Sequence, residues 1–224
     1  MKKKPILNND ILKDTELEGY EAPSLNTPSA DDFDMDTINL WRSGLTMSVQ
    51  FKMILNISEC QYYLSEIKKI HKEIYEMERD PEWGEGPDRL VSRHISYNIF
   101  QYQKFEGLFQ KIRNSIPEEF LNSGHFIRGW INQLNPGEGL RGHRHSYPLS
   151  GHVTIHGTNC LTTYKNPETF ISIESPSGGL HLLSKGVYHE VTVNKSENAR
   201  VSIAFDVVTP GEVCPEFLDM LREL

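Results

Sequence analysis

The sequence has few cysteines, no long apolar run and no excess of basic charge, and each absence excludes a class of protein. Its three cysteines include no C-x-x-C pair, which argues against a disulfide framework and against a cysteine-based zinc site. No apolar stretch reaches the roughly 18 residues that a transmembrane helix needs, so we expect no membrane partner. With 23 basic and 31 acidic residues, the net charge of −8 argues against general affinity for nucleic acid or an anionic membrane surface.

The length of 224 residues fits one domain with an appendage. Residues 1 to 40 have no apolar periodicity, and the segment from Asp10 to Asp36 carries nine acidic residues and one lysine, so we predict an extended or disordered acidic arm. Residues 41 to 224 are predicted to form a single domain. Since the basic N-terminus is not followed by the apolar segment of a secretory signal, we expect a cytoplasmic protein.

Residues 57 to 116 are predicted to form a helical support. Ser58 and Gln61 have the spacing of a capping box, and the apolar residues behind them predict an amphipathic helix to about Arg79. Apolar residues on one face predict a second helix near 99 to 115. Residues 215 to 223 predict a C-terminal helix.

Residues 126 to 208 change to a twofold alternation, in short segments separated by turn residues. The predicted strands are 126–134, 150–156, 161–164, 170–174, 180–183, 190–193 and 200–208, and residues 46–55 predict one more before the helices. So many short strands at this spacing favour a β-sandwich or barrel, and no helix fits between them as a parallel α/β fold would require. The predicted class is mainly β with flanking helices.

The nine histidines are unevenly distributed, because four of them lie between residues 143 and 156. In an extended segment His143 and His145, two residues apart, point to the same side and can reach one ion. His189, at the start of a later strand, is the third candidate ligand of this metal site. Imidazole suits Fe(II), Zn, Cu and Ni, so the ligand type alone does not select the metal.

A second constellation lies on the last long strand. Arg200 and Ser202 share one face, opposite the apolar Val201 and Ile203, which must pack against another layer. An arginine on the inward face is costly unless it meets an anion, and its planar fork matches a carboxylate. A metal site beside a carboxylate clamp suits a small oxo-diacid that chelates the metal at one end and meets the arginine at the other.

Residues 126 to 208 resemble the double-stranded β-helix (jelly-roll or cupin-like core) of the Fe(II)- and 2-oxoglutarate-dependent oxygenases. The similarity lies in the H-x-H of His143 and His145, the following Ser150-Gly151 and alternating strand, the distal His189, and the R-x-S of Arg200 and Ser202. It is greatest to an oxygenase family found in bacteria and phages. The resemblance covers about 85 residues.

The resemblance implies a dioxygenase that uses Fe(II), 2-oxoglutarate and O2 to hydroxylate a small-molecule or peptide substrate. Three histidines would then bind iron, and Arg200 with Ser202 would bind the distal carboxylate of 2-oxoglutarate. Thr154 and Asn132 are further candidates for the cosubstrate pocket. Candidates for the substrate pocket are His152, His156 and Tyr147. His125 and His181 are expected to be structural.

Two departures leave alternatives open. His145 stands where most members of the superfamily have an Asp or Glu ligand, and Leu183-Ser184 stands where relatives often have Phe-Pro. A three-histidine site also resembles cupin-like dioxygenases or isomerases that do not use 2-oxoglutarate. A non-catalytic jelly-roll binding module is the remaining alternative.

Overall fold

The computed structural model describes residues 36–42, 45–83, 90–165, 170–209, 211 and 215–224. These residues form eleven strands and three α-helices. The strands are β1 (Asp36–Arg42), β2 (Leu45–Met53), β3 (Phe126–Leu134), β4 (Leu140–His143), β5 (Leu149–His156), β6 (Leu161–Lys165), β7 (Phe170–Glu174), β8 (Gly179–Ser184), β9 (Tyr188–Val191), β10 (Arg200–Val208) and β11 (Arg222–Glu223). The helices are α1 (Ile57–Tyr75), α2 (Glu106–Arg113) and α3 (Glu118–Leu121).

Two antiparallel sheets make up the core. The larger sheet has the strand order β1-β2-β8-β5-β10-β3-β11, and the smaller has the order β4-β9-β6-β7. Consecutive strands thus alternate between the sheets through much of the chain, as in a double-stranded β-helix. The predicted fold class is confirmed: the protein is mainly β, with a jelly-roll core and flanking helices.

The larger sheet separates an apolar layer from a polar one. Val201, Ile203 and Phe205 on β10 pack in one buried cluster with Ile67 of α1 and Leu108 of α2. The alternate β10 residues instead line a cavity between the sheets: Arg200, Ser202, Ala204 and Asp206. This alternation follows from the twofold period of a strand, and it fixes which side chains can take part in chemistry.

The helical region differs from the prediction at both helices. The N-cap of α1 is Asn56, and Glu59 completes the capping box, so the helix begins before Ser58 and ends at Tyr75 rather than near Arg79. Between 99 and 105 the chain forms two short 3-10 turns, and α2 begins only at Glu106. The Asn98 side chain accepts from the Phe100 and Gly129 amides. These bonds attach the segment to β3, and the segment does not form a continuous helix.

The two ends of the domain also differ in detail. The predicted arm lies outside the described residues up to residue 35, and residues 36 to 40 belong to β1, which pairs with β2. At the C-terminus a 3-10 helix (Pro215–Met220) precedes β11, which pairs with β3. The backbone groups at the edge of β3 accept that extra strand, and this tertiary pairing replaces the last turn of the predicted helix. Over the described ranges, no helix has both the length and the apolar character needed to cross a bilayer.

Candidate metal centre and adjoining cavity

A cavity of about 290 Å³ lies between the two sheets, and residues of both sheets line it. Its walls bring together residues from β3, β4, β5, β6, β9 and β10 that are far apart in sequence. Of the site residues predicted from the sequence, the lining includes His143, His145, His189, Arg200, Ser202, Asn132, His152 and Tyr147.

The three predicted ligands converge on one point. His143 ends β4 and is paired directly with His189 on β9, while His145 follows in the connection to β5. One nitrogen of each imidazole lies within 4.8 Å of one nitrogen of the other two. Among the described residues this is the one cluster of three or more metal-ligating side chains. The H-x-H spacing and the antiparallel register therefore place three donors around a common space.

Hydrogen bonds fix the same ring orientation in all three histidines. The Nδ1 of His143 donates to the Arg141 carbonyl at 2.9 Å, and that of His189 donates to the Val187 carbonyl at 3.2 Å. The Nδ1 of His145 donates to the carboxylate of Asp206 at 2.6 Å. Since each Nδ1 donates to an oxygen of the protein, Nε2 is the nitrogen that each ring has left for a metal ion, which is how histidines are oriented around a metal. The residues therefore fit a metal.

The three imidazoles differ in their affinity for protons. Burial, together with the neighbouring His145, lowers the pKa of His143 to about 4. Burial also moves the pKa of His189 well below its usual value, and both other histidines add to that shift. For His145, burial opposes protonation, but attraction and hydrogen bonding by Asp206 outweigh it and raise the pKa. Two of the ligands are thus neutral and ready for a cation, and the third is coupled to a carboxylate.

Asp206 was missed by sequence reasoning. It is 2% exposed and lies on β10, four residues after Ser202 and on the same face of the strand. The signal was present, because residues 200, 202, 204 and 206 share one face of a strand. A search for acidic residues close to the H-x-H motif in sequence could not find it, because Asp206 lies 61 positions after His145 and meets it only in the folded protein.

Arg200 lines the cavity and has no counter-ion among the residues that the structure describes. It is 2% exposed, and its Nη1 donates to the Ser202 hydroxyl at 3.2 Å. Its Nε and Nη2 have no hydrogen-bond partner, and it forms no ion pair with a residue that the structure describes. Burial lowers the pKa of this guanidinium, which expresses the cost of keeping the charge away from water. An anion in the cavity would satisfy it.

Three further buried polar atoms near Arg200 have no hydrogen-bond partner in the described part of the chain. They are Asn132 Oδ1, Thr154 Oγ1 and His152 Nε2. Ser202 is opposite Asn132 on β3 and opposite Thr154 on β5, and His152 lies two residues before Thr154 on the same strand. These four residues therefore form one patch on the inner face. Asn132 and His152 line the cavity, whereas Thr154 is buried beside it. Buried polar groups are normally satisfied, so this patch fits a polar ligand rather than a packed core.

His156 is placed away from this patch. A register shift between β10 and β5 pairs His156 with Val201, whose side chain faces the helices, while Thr154 remains opposite Ser202. His156 is half-buried near Lys68 of α1, and it is not part of the cavity lining. The simple alternation assumed for this strand from the sequence cannot reveal such a bulge.

His181, predicted to be structural, forms a buried polar network with the cavity wall. Its ring is fully buried and stacks on His152 with the ring centroids 4.5 Å apart. Its Nδ1 is 2.6 Å from the Tyr164 hydroxyl, and its Nε2 has no partner. The two rings stack because His152 on β5 and His181 on β8 are direct cross-strand partners.

Lowering the pH should destabilise the metal-free protein, and these two histidines are among the groups that cause it. Burial, with a further contribution from Arg200, lowers the pKa of His181 to about 3 and that of His152 well below 6.5. Below about pH 6.5 only the unfolded chain takes up these protons, so stability falls as the pH falls toward the folded pKa. At about pH 5.5 we expect each group to cost about 1.4 kcal/mol.

Urea unfolding of the metal-free protein at about pH 7.5 and 5.5 measures this effect. His181→Gln should reduce the pH dependence by about one proton, whatever its effect on stability at neutral pH. A free energy of unfolding that is unchanged over this interval would contradict the burial of two neutral histidines.

Aromatic side chains form the wall beside the triad. Trp83 meets His143 edge-on with the ring centroids 5.2 Å apart, and Trp130 stacks on His145 at 6.2 Å. His94 lies between the two indoles, 6.0 Å from Trp83 and 5.7 Å from Trp130. This wall limits the access of water to the three histidines from one side.

Comparison with known proteins shows a shared fold. No family profile and no curated protein matches this chain, so the bacterial and phage family suggested by the sequence is not confirmed. A prolyl 4-hydroxylase from Pseudomonas putida is similar in structure, with a TM-score of 0.52 and 16% identity over 73% of this chain and 92% of that one.

Two further structures are similar at the same level. The non-heme alpha-ketoglutarate-dependent carbocyclase SnoK from nogalamycin biosynthesis has a TM-score of 0.52 and 10% identity, covering 72% of this chain and 79% of that one. HygX from Streptomyces hygroscopicus, with iron bound, has a TM-score of 0.52 and 10% identity, covering 73% and 82%. At these identities the likeness shows that the chain shares the fold of these three proteins, and nothing about its reaction.

Proposed function

We propose that the protein is a non-heme Fe(II)- and 2-oxoglutarate-dependent oxygenase that hydroxylates a small-molecule or peptide substrate. One observation carries the proposal: three histidines with Nε2 left for a metal share a cavity with a buried arginine that has no counter-ion among the described residues. The similar structures add support, since SnoK is alpha-ketoglutarate-dependent and HygX has iron bound.

In such a site, separate groups of residues would bind the metal and the cosubstrate. His143, His145 and His189 would hold the metal through Nε2, and their Nδ1 hydrogen bonds keep the rings in place. Arg200 and Ser202 would bind the distal carboxylate of 2-oxoglutarate and so orient its oxo-acid end toward the metal. When bound, Fe(II) with 2-oxoglutarate supplies O2 activation coupled to succinate formation.

The remaining patch residues would complete the cosubstrate pocket. Asn132 Oδ1 and Thr154 Oγ1 lie on either side of Ser202, and each lacks a partner. The Thr154 hydroxyl could donate to a bound carboxylate, and Asn132 Oδ1 could accept from a water bound beside it, so both atoms would gain the hydrogen bonds that buried groups require. His152 and Tyr147 line the same cavity and are proposed to contact the cosubstrate or the primary substrate.

The test is turnover of 2-oxoglutarate. Protein supplied with Fe(II), 2-oxoglutarate and O2 should form succinate, even without the primary substrate, at a rate above that of metal-free protein. Mass spectrometry of succinate measures it. Protein that binds Fe(II) but neither binds nor consumes 2-oxoglutarate would contradict the proposal.

A three-histidine metalloenzyme without 2-oxoglutarate is the second candidate. The all-imidazole set favours it, because a ligating carboxylate is missing from the cluster. The unpaired Arg200 argues for the first candidate, since a site without an anionic cosubstrate has no use for a buried, unpartnered guanidinium. Binding of 2-oxoglutarate therefore separates the two.

A further inference from the structure

One buried carboxylate is not explained by the metal ligands or by the cosubstrate clamp. Asp206 is 2% exposed and accepts a hydrogen bond from His145 Nδ1 at 2.6 Å. Its other oxygen lies 3.6 Å from Arg128 Nη2. A buried ion pair contributes little to stability, because desolvation of both groups offsets their attraction. The position of Asp206 directly behind a candidate ligand therefore points to a role at that ligand.

Asp206 differs from the groups that support the other two histidines. His143 and His189 donate from Nδ1 to main-chain carbonyls, which orient the rings but carry no net charge. A carboxylate accepts the same hydrogen bond, and it also adds a full negative charge one imidazole ring away from the metal position. Such a partner fixes the tautomer and makes the opposite nitrogen a stronger donor to a cation.

The negative charge of Asp206 offsets positive charge at the metal position. Three neutral imidazoles leave the two positive charges of a divalent cation uncompensated, and Arg200 and Arg128 add positive charge to the same cavity. In a buried site of low dielectric, that excess repels a cation. Among the described residues that line the cavity, Asp206 is the one acidic residue.

We propose that Asp206 is a positioning residue for the metal centre, acting through His145. It holds His145 in the Nδ1–H form and supplies, one hydrogen bond beyond the ligands, the negative charge that a ligating carboxylate would otherwise provide. The inference rests on the proposed function only in requiring that the triad binds a divalent metal.

Mn(II) binding to the full chain tests the inference without any need for turnover. The dissociation constant is measured from the electron paramagnetic resonance signal of free Mn(II). Asp206→Asn keeps the shape of the side chain and removes its charge, so we expect affinity to fall by about 10- to 100-fold. Arg128→Gln is the matched control: it breaks the same ion pair from the other side and should not weaken Mn(II) binding. Equal losses in both variants would show that the ion pair matters only for structure and would overturn the inference.

A substitution at His145 should remove or reverse the effect of Asp206→Asn on Mn(II) affinity. In a His145→Asp background the ligand itself carries the charge, and Asp206 becomes a like-charged neighbour. Asp206→Asn should then leave Mn(II) affinity unchanged or increase it. A loss as large as that seen beside His145 would overturn the inference, because Asp206 would then act independently of this ligand.

Nuclear magnetic resonance of the unaltered protein covers the case in which a variant does not fold. With Zn(II) bound, the assigned imidazole ¹⁵N shifts should show His145 protonated at Nδ1 and bound through Nε2; the reverse assignment would overturn the inference. Unaltered protein that binds Mn(II) while Asp206→Asn binds it equally well would overturn this inference and leave the proposed function standing. Unaltered protein that binds no divalent metal would overturn both.

Discussion

Arg200→Met should abolish tight binding of 2-oxoglutarate and, at the same time, stabilise the protein in the absence of cosubstrate. Removing one partner of a buried charged pair costs about 2 to 5 kcal/mol, which corresponds to an affinity loss on the order of 30- to 5,000-fold. Among the described residues, no partner accepts from Nε or Nη2 of this guanidinium. Replacing it with an apolar side chain of similar length should therefore raise the free energy of unfolding by at least about 1 kcal/mol.

Calorimetric titration of 2-oxoglutarate into metal-loaded protein measures the first effect, and urea unfolding of the metal-free protein measures the second. Metal binding should not weaken, because Arg200 does not belong to the histidine cluster and its positive charge opposes a cation in the same cavity. Ser202→Ala is the matched control: it removes one hydrogen bond from Arg200 and should weaken 2-oxoglutarate binding by only about tenfold. An Arg200→Met protein that binds 2-oxoglutarate normally would contradict the carboxylate clamp.

His189→Ala should eliminate metal binding and turnover. Loss of a supporting residue costs about 10- to 100-fold in metal affinity, so loss of a ligand should cost more than about 100-fold. His189 is the best choice of the three, because it is 6% exposed and its hydrogen bond to the Val187 carbonyl uses Nδ1, which leaves Nε2 for the metal. Mn(II) titration and succinate formation measure the two effects.

His125→Ala is the control for this experiment. His125 lies outside the cavity, and its ring contacts Ser123 and Phe120. Its removal should leave metal affinity and succinate formation unchanged. Partial recovery of metal binding in His189→Ala on addition of free imidazole would show that the missing ring acts as a ligand. A His189→Ala protein with unaltered Mn(II) affinity would contradict the assignment of the triad.

Much of the β core could be predicted from the sequence, because a twofold period in short segments has few other solutions. Strands 126–134, 170–174 and 200–208 were predicted with the bounds that the structure has. The convergence of His143, His145 and His189 followed from an H-x-H pair and a distal histidine, and the structure brings the three together. These features depend on local alternation, which is visible in the sequence.

The features that were missed depend on long-range pairing. The helix start at Asn56 and the turns between 99 and 105 are set by side-chain hydrogen bonds that compete with simple periodicity. The bulge that turns His156 toward α1 arises from the register of β5 against β10. Asp206 reaches His145 only because two strands and a loop close around one cavity.

The most direct test of the account is a crystal structure of the protein grown with Mn(II) and N-oxalylglycine, a non-reacting analogue of 2-oxoglutarate. We expect one Mn(II) ion on His143, His145 and His189, with a carboxylate of the analogue on the guanidinium of Arg200. A metal ion bound elsewhere, or a cavity in which Arg200 contacts no part of the analogue at saturating concentration, would contradict it.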